Sequence, residues 1–389
     1  MRILGMISGT SHDGIDAAVV EFEEKDGHLT GILQHSGSTP YPQALRSRII
    51  NALPPASTTL AEMCELDTLV GQQFAQVATE TIRQSGPVDL VVSHGQTVFH
   101  WVDGGQALGT LQIGQPAWIA EATGTPVLSD VRARDITAGG HGAPLVSYLD
   151  ALLLAGHPGT AAALNLGGIA NMTVVPSAGE LFAYDIGPAN ALIDAVVVTR
   201  ELGAEGYDAD GRIAASGTVD EDLLDVFLKD AYFQLPAPKS TGKEHFHLPY
   251  VEGILRDAGA EPGDADLVAT LTELTVRTVA QEIRAHGIDL VVASGGGCRN
   301  GVLMEGLRKA LPGVVITQSD DYGAPADDKE AIAFALIGWC TAHGLPGTVP
   351  GGTGARDARI LGSITPGSGP LVLPPPAGSA PRTLTLSRA

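Results

Sequence analysis

Arg2-Ile3-Leu4-Gly5-Met6-Ile7-Ser8, then Gly9-Thr10-Ser11-His12-Asp13-Gly14-Ile15-Asp16, then Ala17-Ala18-Val19-Val20-Glu21-Phe22: an apolar run, a glycine-bearing polar stretch and a second apolar run open the chain. Apolar runs flanking a turn of this composition read as strand, turn, strand. The plan returns at Ala161-Ala162-Ala163-Leu164-Asn165-Leu166, Gly167-Gly168, Ile169-Ala170-Asn171-Met172-Thr173-Val174-Val175. Outward from the first hairpin, residues 29–37 supply a third strand. Apolar positions then recur at helical spacing from Leu45 to about Gln84. Val88-Asp89-Leu90-Val91-Val92 is a short buried strand ending at Ser93-His94-Gly95-Gln96, and Pro126-Val127-Leu128 is another. Outward from the second hairpin, Phe182-Ala183-Tyr184 leads into Asp185, residues 266–285 are helical, and Asp289–Ala293 is a strand closing on Ser294-Gly295-Gly296-Gly297. A helix over 299–311, a strand over 313–317 and a helix over 327–343 follow. Each half thus predicts a hairpin, a helix and a strand ending in a polar or glycine loop. This implies two related α/β domains with a cleft between them.

Composition narrows the function. The chain has 389 residues, 44% of them apolar and 17% charged, and glycine is used 49 times without a collagen-like period, so these glycines serve turns and close backbone approaches. The net charge of −21 excludes the basic footprint that polynucleotide binding needs. The local pair Arg132 and Arg134 suits a small anion instead. Cys64, Cys298 and Cys340 are odd in number and widely spaced, against a disulfide framework or a cysteine zinc site. The first residues lack a signal-peptide pattern, and no run reaches the ~18 apolar residues of a membrane span. A soluble cytoplasmic protein is expected. The acid-rich stretch 201–230 reads as a solvated helical face, and the Pro- and Gly-rich tail from Thr365 as a loose or strapped-on extension.

The chemistry lies in three glycine loops at strand ends: Gly9-Thr10-Ser11-His12-Asp13-Gly14, Leu166-Gly167-Gly168 and Gly295-Gly296-Gly297. Glycine lets backbone N–H groups approach a phosphate, and the Thr10 and Ser11 hydroxyls add donors. One such loop alone is equally a tight hairpin. Three, two of them at equivalent places in the half-repeats, point to a phosphate cradle, although neither the P-loop nor the dinucleotide fingerprint is present. A histidine-ligated metal site built on His94 and His100, or on His245 and His247, is disfavoured, because helical ligand pairs need i, i+4 spacing.

Taken in order, the motifs resemble those of the anhydro-N-acetylmuramic acid kinases. The resemblance rests on Gly9 to Asp16, Ser93-His94-Gly95-Gln96-Thr97, Leu111-Gln112-Ile113-Gly114, Asp130-x-Arg132-x-Arg134-Asp135 and Ala138-Gly139-Gly140-x-Gly142-Ala143-Pro144-Leu145-Val146. It continues through Leu164 to Asn171, Asp185-x-Gly187-Pro188-x-Asn190, Pro238-Lys239-Ser240-Thr241-Gly242, Gly295-Gly296-Gly297-x-x-Asn300 and Asp328-x-Glu330-Ala331. It implies two ribonuclease-H-like (actin-like ATPase) domains with an interdomain cleft. The N-terminal domain would span 1–135, joined by part of 345–389, and the C-terminal domain 136–344. ATP and Mg2+ are the implied cofactors, an amino sugar the substrate, a homodimer the assembly. The implied reaction opens the 1,6-anhydro ring with water and phosphorylates O6, in murein recycling.

By the same resemblance, Gly9, Thr10, Ser11, His12, Asp13, Gly14, Ile15 and Asp16 hold ATP together with Asn165, Gly167, Gly168, Asn171, Gly295, Gly296, Gly297 and Asn300. Asp13 is the candidate metal ligand; Asp13 and Asp16 could equally be turn acids. His94, Gln96, Asp130, Arg132, Asn190 and Glu330 are the candidate sugar contacts, with Arg132 and Arg134 suited to the lactyl carboxylate or to ion pairs with Asp130 or Asp135. Asp185 is the candidate general base, which must take a proton from the attacking water. From its place in the sequence it could instead cap a helix starting near Pro188. The chain departs from the family at His12 (usually Leu or Met), Gln115 (Asp), His141 (Gln), Ile186 (Thr) and Ala189 (Gly). Ile186 would delete a hydroxyl beside the base.

Overall fold

The structure, a computed structural model, describes residues 1–237, 239–242 and 245–389. The strands are β1 Arg2–Ser8, β2 Gly14–Lys25, β3 His28–Pro40, β4 Leu90–Asp103, β5 Gln106–Ile113 and β6 Val127–Ser129. They continue as β7 Ala161–Leu166, β8 Ile169–Val175, β9 Phe182–Pro188, β10 Leu290–Ser294, β11 Val315–Gln318, β12 Ser363–Thr365 and β13 Thr383–Arg388. The chain divides into two compact units, Met1–Ala155 with Tyr322–Ala389, and Gly156–Asp321.

In the first unit the sheet order is β12-β6-β4-β1-β2-β3-β13, with β5 paired to β4. β1, β2 and β3 form an antiparallel meander, while β4 runs parallel to β1 and β6 parallel to β4. In the second unit the order is β11-β10-β7-β8-β9. There β7, β8 and β9 make the meander, and β10 and β11 add parallel to β7 and β10. Both units therefore carry the same strand plan, that of a ribonuclease-H-like domain, and the duplication read from the two hairpins is a structural one.

A parallel centre buries both faces of a sheet, and β1 shows how. Ile3 and Ile7 enter a core with the helix Lys329–Ala342, whereas Leu4 and Met6 enter the opposite core with the helices Gln43–Ala52 and Leu60–Ser85. At Gly5 a Cβ would sit 2.1 Å from Ala331 O and 2.6 Å from Ala335 N, so only glycine lets that helix backbone lie on the strand. This packing explains a difference from the sequence pattern. Residues 136–155 and 322–344, assigned above to the second body, lie in the first unit, where helix Ser147–Leu154 and helix Lys329–Ala342 share one core.

The long helical period from Leu45 to Gln84 is two helices, parted at Leu53-Pro54-Pro55, where proline removes a donor and blocks the preceding helical backbone. The second helix is restarted by Thr59, whose side chain accepts from Glu62 N. The strand expected to stop at Val92 runs on to Asp103 and folds back as β5. The tail from Thr365 ends as β13, which pairs parallel with β3 and buries Leu384 and Leu386. Residues 201–230 form short helices whose acids are mostly exposed, as a solvated charge run should be; Leu223, Leu224 and Phe227 face inward, and Asp208 alone among the acids is buried, as an acceptor for Ile213 N and Ala214 N. No helix among the described residues is long and apolar enough to cross a membrane.

Candidate functional site

In the first unit, residues Gly9 to Asp13 join β1 to β2. The carbonyls of this loop are held from behind. Gln96 Nε2 donates to Gly9 O at 3.1 Å, Arg46 Nε to His12 O at 2.9 Å, and Tyr41 N to Asp13 O at 3.0 Å. Ser8 Oγ lies 2.6 Å from Gln96 Oε1 and 2.8 Å from Gly14 O. With its carbonyls tied back, the loop leaves Thr10, Ser11 and Asp13 exposed, Ser11 Oγ donating to Asp13 Oδ1 at 2.8 Å. His12 occupies the left-handed region at φ 54°, a strained conformation for a non-glycine residue. Its imidazole pKa is lowered, chiefly by burial and further by Arg46, against a backbone hydrogen bond with Thr97 and the Asp13 charge. Asp16 follows at the start of β2, its carboxyl raised chiefly by burial and further by Asp13, Asp328 and Asp327, against a hydrogen bond from Ser38.

The side chains expected to meet a sugar are mostly turned to other tasks. Gln96 is fully buried, and its amide is spent on Gly9 O and on Thr97 O at 3.2 Å. His94, only 3% exposed, packs on Phe334 with ring centroids 4.8 Å apart. Its Nδ1 lies 2.9 Å from Gly95 O, and Nε2 accepts from Arg132 Nε at 2.7 Å. Burial, and then the Arg132 charge, hold its pKa well below the usual imidazole range, so the ring is neutral. Arg132 also donates through Nη1 to Gly142 O at 2.5 Å. The loop carrying that carbonyl is pinned by fully buried Asp135, which accepts from Gly142 N at 2.8 Å and Thr353 Oγ1 at 2.7 Å. Arg134 and Asp130 are exposed. The Asp130 carboxyl is raised by surrounding protein, against a bond from Ala133 N. Glu330 is an exposed residue whose carboxyl is nonetheless raised first by the protein around it and then by Asp16, with Arg132 and Lys329 opposing. His94 and Asp130 line a cavity of about 550 Å³ with Ser93, Gly95, Asp67 and Gln112. Ser93 Oγ is buried there without a hydrogen-bond partner among the described residues.

In the second unit, Asn165, Asn171 and Asp185 are register partners on β7, β8 and β9, a polar row across three strands. Asp185 is not a helix cap. It sits within β9, and the next helix, Asn190–Thr199, has Ala189 at its N-cap. Its Oδ2 accepts from Ser240 Oγ at 2.8 Å and from Thr241 N at 3.1 Å. Pro238, the first residue of that Pro-Lys-Ser-Thr-Gly motif, lies outside the described residues. The other two glycine loops touch: a Cβ on Gly295 would sit 2.5 Å from Asn165 Oδ1, and one on Gly297 2.7 Å from Leu166 Cβ.

Asn190 and Asn300 also act on backbone. Asn190 Nδ2 donates to Leu166 O at 3.0 Å and Gly167 O at 2.7 Å. Asn300 Oδ1 caps the helix Gly301–Ala310 through Val302 N and Leu303 N. Both line a cavity of about 260 Å³ with Asp194, Tyr207, Asp208, Gly296 and Arg299.

The departures are absorbed. Ile186 is fully buried in the core behind the sheet, the face opposite Asp185, so the missing hydroxyl is not lost beside the base. Gln115 still caps a helix, accepting from Ala117 N, and Ala189 is buried at such a cap. His141 is exposed. His245 is 3.2 Å from Asp230 Oδ2 and stacks on Phe246, and no group of three or more His, Cys, Asp or Glu among the described residues is arranged to hold a metal. Tyr232 and Glu282, which bear on Asp185 as described below, were invisible in sequence, because nothing in local spacing links residue 185 to residue 282.

The family model described as anhydro-N-acetylmuramic acid kinase matches residues 1–367. The anhydro-N-acetylmuramic acid kinase of Streptomyces coelicolor is 55% identical over 388 residues, 99% of this chain and 98% of that one. That of Streptomyces avermitilis is 51% identical over 390 residues, 99% of this chain and 100% of that one. Among solved structures, component A of the Acidaminococcus fermentans (R)-2-hydroxyglutaryl-CoA dehydratase is similar over 86% of this chain and 96% of that one, at 14% identity and a TM-score of 0.43.

Proposed function

The chain belongs to the anhydro-N-acetylmuramic acid kinase family, and on that premise we propose how its residues divide the work. It is an ATP-using kinase of murein recycling, hydrolysing the 1,6-anhydro ring of anhydro-N-acetylmuramic acid and phosphorylating O6. In the proposed mechanism Asp185 takes a proton as a water oxygen bonds to the anomeric carbon. The C1–O6 bond breaks, O6 bonds to the γ-phosphorus, and the bond to the β-phosphate oxygen breaks to leave ADP. Because phosphorus captures the leaving oxygen, one carboxylate suffices where an ordinary glycosidase needs two. The observation that carries this assignment is the setting of Asp185: in-strand, with hydroxyl and amide donors on one carboxylate oxygen, so the carboxylate is oriented.

The tied-back loop Gly9–Gly14 is assigned to phosphate, since its hydroxyls face outward while its carbonyls are occupied. The 260 Å³ cavity beside Gly296 and Asn300 is assigned to the nucleoside. The 550 Å³ cavity lined by His94 and Asp130 is assigned to the sugar, whose hydroxyls would meet Ser93 Oγ. Mg2+ typically keeps several waters and takes one or two carboxylates plus substrate phosphates. Exposed Asp13, with Asp16 near it, fits that donor set better than an all-protein cage would. Bound there, the ion would neutralise phosphate charge. A homodimer is supported by the exposed apolar residues Phe99, Trp101, Leu108 and Leu111 of the β4–β5 hairpin, and sedimentation would test it. A cytoplasmic place is supported by the need for ATP.

Asp185→Asn is the test. The amide keeps the shape but cannot take the proton, so kcat should fall about 10²–10⁴-fold while calorimetry shows ATP affinity little changed. Retention of more than about a tenth of the activity, against that expected loss, would move the base elsewhere.

A further inference from the structure

Lys239 is buried, its side chain 3% exposed, and its ammonium lies 2.9 Å from Glu282 Oε1, itself 13% exposed. The other Glu282 oxygen accepts from Tyr184 Oη at 2.9 Å. The Lys239 ammonium also sits 5.1 Å over the Tyr232 ring. Withdrawing two charges from water is rarely repaid in stability, since an apolar pair of the same size often folds as well or better. Such a pair is more informative about what it holds in place.

What it holds is adjacent. The main chain of Lys239 meets the base: Asp185 N donates to Lys239 O at 3.0 Å, along the outer edge of β9, the edge strand of its sheet. The next two residues give Asp185 its donors, Ser240 Oγ and Thr241 N. On the same outer edge, Tyr232 Oη donates to Asp185 O at 2.6 Å. Lys239 thus has its backbone against the base and its side chain bolted to Glu282 on the helix Asp264–Ala285. Among the described residues, Tyr184, Tyr232 and, at 3.8 Å from Glu282 Oε2, His286 are the titratable groups facing the pair. Serine, threonine and lysine on an untethered segment would sample many positions, and the hydrogen bonds to the carboxylate would be intermittent.

We infer that the buried Lys239–Glu282 pair is a clamp of positioning residues, which holds the 239–241 segment along β9 so that Ser240 and Thr241 stay on the carboxylate of Asp185. The inference rests on Asp185 being the base. Removing one partner would leave a buried charge unpaired, so the test is the neutral double variant Lys239→Met/Glu282→Gln, in which the glutamine still accepts from Tyr184. It is assayed in the full chain with ATP and anhydro-N-acetylmuramic acid, beside Ser240→Ala and Asp185→Asn. The clamp predicts that kcat of the double variant falls about tenfold or more, within the range attributed to a positioned base, with KM for ATP little changed. It also predicts that the acid limb of the kcat–pH profile moves up by about one unit, since donors to a carboxylate favour its charged form. Ser240→Ala should move the limb the same way by less. An unmoved acid limb in both variants overturns the clamp, and so does a loss of kcat matched by equal losses of ATP affinity and thermal midpoint. Should the double variant not fold, Ser240→Ala decides alone. If Asp185→Asn stays active, the base assignment itself has failed. If it is dead while the clamp variants behave as the parent, only the clamp has.

Discussion

The two units open with the same hairpin, yet the loops at their tips are put to different use. Between β1 and β2 the carbonyls of Gly9, His12 and Asp13 are taken by Gln96, Arg46 and the Tyr41 amide, from outside the loop, and the hydroxyls of Thr10 and Ser11 are left at the surface. Between β7 and β8 the carbonyls of Gly167 and Gly168 are taken by Ala189 N, Asn190 N and Ala191 N, the first amides of the following helix, and by the Asn190 side chain. A helix start normally offers free N–H groups to an anion; here the second loop has used them. A duplicated strand plan therefore fixes where a loop sits, while a few side chains behind it decide whether it faces a ligand or braces its own unit.

The largest effect that could break this contrast is on the bracing side. Gly295 has φ 87°, and a Cβ there would meet Asn165 Oδ1 at 2.5 Å and the Leu166 carbonyl at 2.9 Å. Gly295→Ala should destabilise by about 3 kcal/mol, combining left-handed strain with overpacking. Denaturant unfolding measures it, and a loss under about 1 kcal/mol, below that combined strain, would show that the second loop has slack. Next, Gln96→Leu removes the donor from Gly9 O and Thr97 O at constant size. A loss of about 2 kcal/mol is expected for buried groups left unsatisfied, together with a raised KM for ATP. Unchanged KM would separate the lock from the phosphate loop.

His94 sharpens the contrast through pH. Its folded pKa lies well below that of the unfolded chain, so below about 6.5 the unfolded state binds the extra proton and stability falls with falling pH. The slope should approach about 1.4 kcal/mol per pH unit until the folded ring itself protonates. Asp16, Asp130 and Glu330, whose carboxyls are raised, act in the opposite sense at lower pH. The difference between the parent and His94→Gln, followed by urea unfolding from pH 7 to 5, isolates the histidine; parallel curves would mean that it is not held neutral. The smallest effect is at the surface. Ser11→Ala should leave stability within about 0.5 kcal/mol but raise KM for ATP about fivefold, the worth of one hydrogen bond. A stability loss without a KM change would make the first loop a brace as well.

Much of the frame was legible because it rests on local rules. The glycine-bearing hairpins, the helices ending near Ala285 and Ala342 and the short strand before Gly295 all carry their period in sequence. The β4–β5 hairpin was missed although its signal was present: Gly104 and Gly105, both at positive φ, make the two-residue turn that such hairpins favour. The site was legible as a set of residue types but not as a set of roles. Gln96, Asn190 and Asn300 are expected ligand contacts from sequence, and in the structure their amides also satisfy backbone groups. A side-chain amide suits a carbonyl of the protein as well as a sugar hydroxyl, and only the fold shows which is nearer. Ile186 was read as a loss beside the base because adjacency in sequence suggests adjacency in space, whereas neighbours on a strand point to opposite faces. The buried pair of Lys239 with Glu282 had no local signature at all.

The order in which the chain is made meets these two units differently. The second is a single uninterrupted stretch, Gly156–Asp321, while the first needs residues from Tyr322 onward. A nascent chain cut off at Asp321 would hold every strand of the second sheet. Its first sheet would lack the helix Lys329–Ala342 that covers one face and the strand β13 that closes one edge. Apolar residues such as Ile3, Val20 and Val92 would wait uncovered, beside an edge of β3 with its hydrogen-bonding groups unpaired, the kind of surface on which chains aggregate. The inner unit is thus free to fold during synthesis, and the half that begins first is the one that finishes last.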